Sequence, residues 1–334
     1  MENQERQLNT TPGVRLAKLG FRSSDGETQI KALLWTPEGT HTPPKAIIQL
    51  VHGMAEHIGR YNDFANFLAG QGYAVCAHDM IGHGFSIQDP KKQSCIPLAN
   101  GKELLIEDIH ELRKTVASRY SQQTPYVLFG HSMGSYLLRS YIARHGSGLA
   151  GVVLCGTGQL PVAFSWLAHT LAVVMARFKG EDYRSPLLQN MGVGAYAKRI
   201  ENARTGCDWL STDEAVVDAY IADPLCGLPF SVGANAALTD ITGEVAHASC
   251  AAKVPKELPL FFIAGACDPV GDFGKGVRDA ASLMQRAGLR QVDVRIYEGM
   301  RHEILNETDK QTVYDDVAQW IASVLETAPT KQKG

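Results

Sequence analysis

A serine framed by two glycines, Gly130-His131-Ser132-Met133-Gly134, has the clearest chemical meaning of any run in this sequence. A serine hydroxyl is a weak nucleophile at neutral pH. It needs a base to take its proton and a third group to orient that base. The flanks supply the setting. Pro125 to Phe129 is a short apolar run of buried-strand character, and Ser135 to His145 carries apolar residues at helical spacing. Strand, sharp turn and helix together make a nucleophile elbow, in which the serine sits in strained backbone. A side chain at either glycine would there collide with a neighbouring strand or helix. The bland alternative is a glycine-rich turn without chemistry.

In a hydrolase built on such an elbow, the chain order is nucleophile, acid, histidine, with the last two at the C-terminal ends of later strands. Of His145, His169, His247 and His302, only His302 leaves a strand-like run, through the turn at Gly299. His302 is therefore the expected general base. Asp268, just after the run Phe261 to Ala264, is the expected acid, with Asp272 as runner-up. The 34-residue step from Asp268 to His302 leaves room for one helix and one strand, as neighbouring parallel strands require. A developing oxyanion needs two backbone N–H donors. Met133 offers one from the elbow. The turn Val51-His52-Gly53-Met54-Ala55-Glu56-His57 offers the other, and Met54 is the expected donor because Gly53 lets the backbone fold back over the serine.

Two nearby clusters have plainer readings. His52, His57 and Glu56 loosely suggest zinc, but the segment is a glycine-containing loop and not a helix bearing H-E-x-x-H, so no metal is expected. Asp79 to Ser86 carries two glycines after a strand, yet lacks the Lys-Ser/Thr finish of a phosphate loop. It reads as a structural turn beside the site.

The elements that must position these residues follow an alternating pattern. Apolar runs at Ala46 to Val51, Tyr73 to Ala77, Tyr126 to Phe129 and Gly151 to Cys155 are separated by helical segments near Tyr61 to Gly70 and Lys102 to Tyr120. Such alternation argues a parallel sheet covered on both faces. Val14 to Arg22 and Lys31 to Trp35 alternate more and suit an antiparallel hairpin at the sheet edge. From about Gln159 to Lys253 only helical segments occur, including a capping box at Ser211 and Glu214. Strands return at Leu258 to Ala264 and Val292 to Tyr297, and a closing helix runs from about Lys310 to Glu326. The expected organisation is a core of residues 1–158 and 254–334, interrupted by a helical insertion at 159–253.

Bulk properties narrow the function class. With 334 residues, 45% hydrophobic and 20% charged, the composition is that of an ordinary globular protein. A net charge of -3 gives no electrostatic case for nucleic acid. Met1 to Gln7 is polar, without the apolar core of a signal peptide, and no apolar run is long enough to span a membrane. Seven scattered cysteines without a C-x-x-C pair read as reduced thiols of a cytoplasmic protein.

Taken together, the motifs resemble those of the α/β-hydrolase superfamily, and within it the monoacylglycerol lipase and lysophospholipase group. His52-Gly53-Met54-Ala55-Glu56-His57-Ile58-Gly59-Arg60-Tyr61 is similar to that group's H-G-x-x-E-H-x-x-R-Y, and Asp79 to Ser86 to its D-x-x-G-H-G-x-S. Gly130 to Gly134 matches its G-H-S-M-G elbow, while Asp268-Pro269 and Tyr297 to Glu303 fall where it carries acid and histidine. The resemblance covers about two-thirds of the chain. It implies a mostly parallel eight-stranded sheet flanked by helices, with an inserted helical cap. It also implies Ser132, Asp268 and His302 as triad, Met54 and Met133 as oxyanion amides, and no cofactor.

The expected reaction is hydrolysis of a lipophilic carboxylic ester, foremost a monoacylglycerol or lysophospholipid, through an acyl-enzyme. A thioesterase or peptidase with the same triad is the alternative, and a non-catalytic receptor on the same scaffold is a third reading. Within the insertion, Ala163 to Phe178 is strongly apolar, and Leu167, Leu171, Val174 and Phe178 share a helical face broadened by Trp166 and Val173. That face reads either as core packing or as a lid lining the acyl pocket and touching a membrane surface. Trp166, Leu167, Leu171 and Val174, together with His52, are the expected substrate contacts.

Overall fold

The structure is a computed structural model that describes residues 8–39 and 42–327. The polar N-terminal run Met1 to Gln7 and the tail beyond residue 327 lie outside the described residues. The chain opens with β1 (Val14–Arg22) and β2 (Gln29–Pro37), an antiparallel hairpin. There follow β3 (Ile47–Val51), α1 (Asn62–Gly70), β4 (Ala74–His78), α2 (Gly101–Ala117), β5 (Tyr126–His131), α3 (Met133–His145) and β6 (Gly151–Cys155). Six helices come next: α4 (Val162–Lys179), α5 (Pro186–Met191), α6 (Val193–Ala197), α7 (Glu214–Ala222), α8 (Val232–Ala246) and α9 (Ala248–Ala251). The chain then returns through β7 (Leu260–Gly265), α10 (Lys275–Arg286), β8 (Val292–Tyr297) and α11 (Lys310–Thr327).

The eight strands form one sheet in the order β1-β2-β4-β3-β5-β6-β7-β8. Every pairing from β4 to β8 is parallel, and β2 joins β4 antiparallel, so the hairpin closes one edge as its alternation suggested. The central strands are buried at every position, which explains their continuous apolar runs. Side chains alternate between two cores. Ile47 and Val51 meet Leu105, Leu137 and Leu138 on one face, while Ile48 and Leu50 meet Phe64, Leu68 and Trp320 on the other. Helices α1 and α11 thus cover one face, and α2, α3, α8 and α10 the other. This is an α/β-hydrolase sheet, with every parallel strand ending toward the same edge.

One local expectation fails. The capping box at Ser211 and Glu214 does not form. Asp213 caps α7 instead, its carboxylate accepting from the Ala215 N–H at 2.9 Å, while Ser211 Oγ accepts from the Asp213 N–H at 3.1 Å. The reason is tertiary. Thr212 N–H is taken by Glu307 at 3.0 Å and the Ser211 carbonyl by Arg301 at 3.0 Å, which holds both residues out of the helix.

Candidate active site

Ser132 sits between β5 and α3 with φ 51° and ψ -120°, a conformation an L-residue adopts only under constraint. The constraint is visible on both sides. A Cβ at Gly130 would lie 2.6 Å from the Gly134 carbonyl oxygen, and one at Gly134 would lie 2.2 Å from that of Val51. Ser132 N–H donates to the Cys155 carbonyl at 2.9 Å, which pins the turn to the end of β6.

Asp268 follows β7 and is fully buried; its Oδ2 accepts from His302 Nδ1 at 2.9 Å. Its Oδ1 accepts from the Val270 N–H at 2.8 Å. The imidazole therefore carries its proton on Nδ1, and Nε2 is the lone-pair nitrogen, buried without a hydrogen-bond partner. Burial alone would lower the His302 pKa. The Asp268 carboxylate, helped by Glu303 and Glu56, outweighs it and holds the pKa above the ordinary histidine value. Asp272, the runner-up acid, is half exposed and paired with Arg199 at 2.7 Å, away from His302.

Ser132, His302, Met54 and Met133 line one cavity of about 580 Å³. In the turn after β3, the Gly53 N–H goes to Glu56 Oε1 at 2.6 Å and the Ala55 N–H to His83 Nε2 at 3.3 Å. The Met54 amide lies between these two engaged neighbours. Gly53 is needed here: a Cβ on it would stand 3.1 Å from Ser132 Cβ.

The expected substrate contacts need correction. His52 is buried and both ring nitrogens are spent, Nδ1 donating to the Gly53 carbonyl at 2.7 Å and Nε2 accepting from the Met80 N–H at 3.0 Å. It braces the turn and does not line the cavity. None of Trp166, Leu167, Leu171 and Val174 lines it either. Trp166, Leu167 and Val174 are exposed, and Leu171 packs against Ala172, Leu188 and Val232. The buried stripe of α4 is Ser165, Ala168, Ala172 and Ala176, so the helix turns its small residues inward and its large ones outward. From α4 only Phe164 and Ala168 reach the cavity, joined by Leu188 and Met191 of α5 and Leu238 and Thr239 of α8.

Sequence reasoning missed an ion network around the site. Arg60 donates to Glu56 at 2.9 Å and bidentately to Glu303 at 2.6 Å, and its guanidinium lies over the Tyr220 ring at 4.9 Å. Burial works against the Glu56 carboxylate, but Arg60 prevails and holds its pKa below the usual value. The signal was there, with Glu56 and Arg60 one helical turn apart and Glu303 next to His302. Trp209, also missed, packs its ring on His302 with centroids 5.0 Å apart. His131, beside His302, is pushed by burial down to about 4 and stays neutral.

His57, Asp223 and Cys226 bring potential metal ligands within 4.8 Å of one another. Their protons argue for a hydrogen-bonded link instead. His57 Nδ1 accepts from the Gly59 N–H at 3.1 Å, so Nε2 carries the proton and donates to Asp223 at 3.1 Å. Burial also pushes the Cys226 thiol far up. A metal would have to displace both bonds.

The pattern of the Hydrolase_4 family, described as serine aminopeptidase S33, matches residues 42–309 of this chain. The chain belongs to this family. It is a member of the α/β-hydrolases whose relatives include lipases and esterases. A monoacylglycerol lipase of Mycolicibacterium smegmatis is 28% identical over 90% of this chain and 95% of its own. A monoglyceride lipase of Homo sapiens is 29% identical over 89% of this chain and 88% of its own. Among solved structures, a thermostable carboxyl esterase from Bacillus coagulans in complex with glycerol is 30% identical with a TM-score of 0.85, covering 93% of this hydrolase and 99% of the esterase.

Proposed function

We propose that this carboxylic ester hydrolase cleaves monoacylglycerols and related lipophilic esters through an acyl-enzyme on Ser132. Residues 159–253 form its cap, over a core of residues 1–158 and 254–334. The observation that carries the reading is the buried Asp268–His302 pair at 2.9 Å, whose His302 lines with the strained Ser132 a single, largely apolar cavity. Ser132 Oγ attacks the ester carbonyl while His302 Nε2 takes its proton. The N–H groups of Met54 and Met133 hold the oxyanion, each donor worth roughly 3 kcal/mol. Collapse transfers the proton from His302 to the departing alcohol. Water, deprotonated by His302, then releases the fatty acid and restores Ser132. No metal or cofactor has a part in these steps.

The volume of about 580 Å³ suits a ligand of fatty-ester size. An aminopeptidase activity, which the family description names, would call for a free carboxylate to receive a substrate ammonium. Glu56 and Glu303, the acids lining the cavity, are both engaged by Arg60, so neither carboxylate is free. The exposed apolar face of α4 supports transient contact with a membrane or lipid aggregate. Among the described residues no helix is long and apolar enough to cross a membrane. The seven cysteines are all free thiols, in keeping with a cytoplasmic setting.

A fluorophosphonate probe tests the nucleophile. Wild-type protein is expected to label at Ser132, and Ser132→Ala to lose both labelling and hydrolysis of a monoacylglycerol. A folded wild type that does not label would overturn the reading.

A further inference from the structure

The loop that carries His302 has little regular structure between β8 and α11, and beside the Asp268–His302 and Arg60–Glu303 side-chain pairs its attachments to the sheet side are few. Cys267 N–H holds the Met300 carbonyl at 2.8 Å, and Tyr314 Oη the Leu305 carbonyl at 3.1 Å. Between those points the backbone is tied to the insertion. His302 N–H donates to the Trp209 carbonyl at 3.4 Å, and Glu303 N–H to the Leu210 carbonyl at 2.7 Å. Arg301 brackets both acceptors: Nη1 donates to the Asp208 carbonyl at 2.5 Å and to the Ser211 carbonyl at 3.0 Å. Glu307, buried, completes the tie by accepting from the Arg301 N–H at 2.8 Å and from Thr212 N–H at 3.0 Å.

We propose that Arg301 is a positioning residue for the general base, clamping the inserted segment Asp208–Thr212 against the histidine loop so that His302 is in register only while that segment is seated. The proposal rests on the reading of His302 as the base of a serine hydrolase. Asp268 fixes the tautomer and the tilt of the ring, whereas the position of its Cα depends on carbonyls supplied by the insertion. One nitrogen, Nη1, suits this task because its two N–H groups, held in the plane of the guanidinium, reach carbonyls on either side of the accepting pair. Displacing the segment therefore displaces the base, and misplacement of about 1 Å is enough to cost roughly a hundredfold in rate.

The test uses a short dissolved aryl ester, p-nitrophenyl butyrate, together with the rate of fluorophosphonate labelling. Arg301→Ala is expected to lower kcat by roughly tenfold to a hundredfold while KM stays within about twofold. The labelling rate should fall by the same factor, and Arg301→Lys, which keeps a donor within reach of one carbonyl, should recover most of the loss. A purely structural role would lower the melting temperature without slowing the folded fraction. A folded Arg301→Ala protein with unchanged kcat and labelling rate overturns the proposal, as does a change confined to KM. Should Arg301→Ala fail to fold, Arg301→Met keeps the apolar stem and removes both donors. It should lower kcat at constant KM, and an unchanged kcat overturns the clamp. Wild-type protein that does not label removes the serine-hydrolase reading instead. Labelling that is equally fast in wild type and Arg301→Ala removes this inference alone.

Discussion

At the scale of single residues, the site is organised around one proton. In the proposed mechanism His302 accepts it from Ser132 only while the imidazole is neutral, and its pKa is held above the ordinary histidine value because the Asp268 carboxylate overcomes the penalty of burial. The sign for activity follows. With His302 as base, turnover is expected to be lost below that pKa, where the ring is protonated, and to appear as pH rises through it. The ascending limb of kcat/KM is thus expected above about 6.5, the value of an unperturbed histidine. Asp268→Asn removes the charge that raises it, so the limb should move to lower pH while kcat falls by roughly ten-thousandfold through loss of the correct tautomer. A pH–rate series on both proteins checks this, and a limb unmoved in Asp268→Asn contradicts the coupling. These residues were legible in the sequence because each stands at the end of an apolar strand run beside a glycine turn. Arg139 was not. It is a fully buried guanidinium in the elbow helix, bonded to the Gly158 carbonyl at 2.8 Å, the Gln159 side chain at 2.7 Å and the Val245 carbonyl at 2.9 Å. Nothing in helical periodicity marks an arginine whose acceptors lie beyond its own helix, one of them 106 residues away.

At the scale of elements, α4 shows where periodicity stops being informative. Its residues are apolar nearly all round, so hydrophobicity alone cannot say which face turns inward. Size decides it. α4 lies close against α8, with Ser165 Oγ 3.1 Å from Thr242 Oγ1 and His169 Nδ1 donating to the Ala236 carbonyl at 3.0 Å. Only Ala168, Ala172 and Ala176 fit a seam so narrow, and Trp166, Leu167 and Phe178 are left at 67%, 57% and 81% exposure. The two faces should respond differently to substitution. Ala172→Leu overfills the seam and is expected to destabilise the protein by about 1–3 kcal/mol, read as a fall in the denaturation midpoint. Trp166→Gln with Phe178→Gln should leave that midpoint within about 0.5 kcal/mol. It should slow hydrolysis of long-chain monoacylglycerol presented in vesicles and spare a dissolved short-chain ester. Equal rates on vesicles for wild type and variant would remove the lipid-surface role of this face.

At the scale of the whole molecule, the fold was more legible than the pocket for a physical reason. The strands, edge hairpin and elbow follow from local patterns, since each strand announces itself within five to nine residues and each parallel neighbour needs a crossover, whereas the strand order does not. The cavity has no such local signature. Its wall is assembled from Met54 after β3, Leu188 of α5, Trp209 before α7, Leu238 of α8 and Val270 after β7, segments brought together only by the completed fold. Under the proposed function, their distribution assigns the acyl chain an end of the cavity. Glu56, Glu303 and His302 gather at the end beside the turn after β3, while Phe164, Leu188 and Leu238 make the wall that α4, α5 and α8 supply. Thr239 stands in that wall with its hydroxyl turned back onto the Asn235 carbonyl at 2.7 Å, so it offers the cavity no free donor. Enlarging it should shorten the accepted chain without touching the chemistry. Thr239→Phe is expected to lower kcat/KM for a long-chain monoacylglycerol by at least about tenfold relative to a butyrate ester. The fluorophosphonate labelling rate at Ser132 should remain that of the wild type. If both esters slow together, the α8 wall is not the acyl end, and the chain must leave Ser132 along the surface formed by α5 and α6.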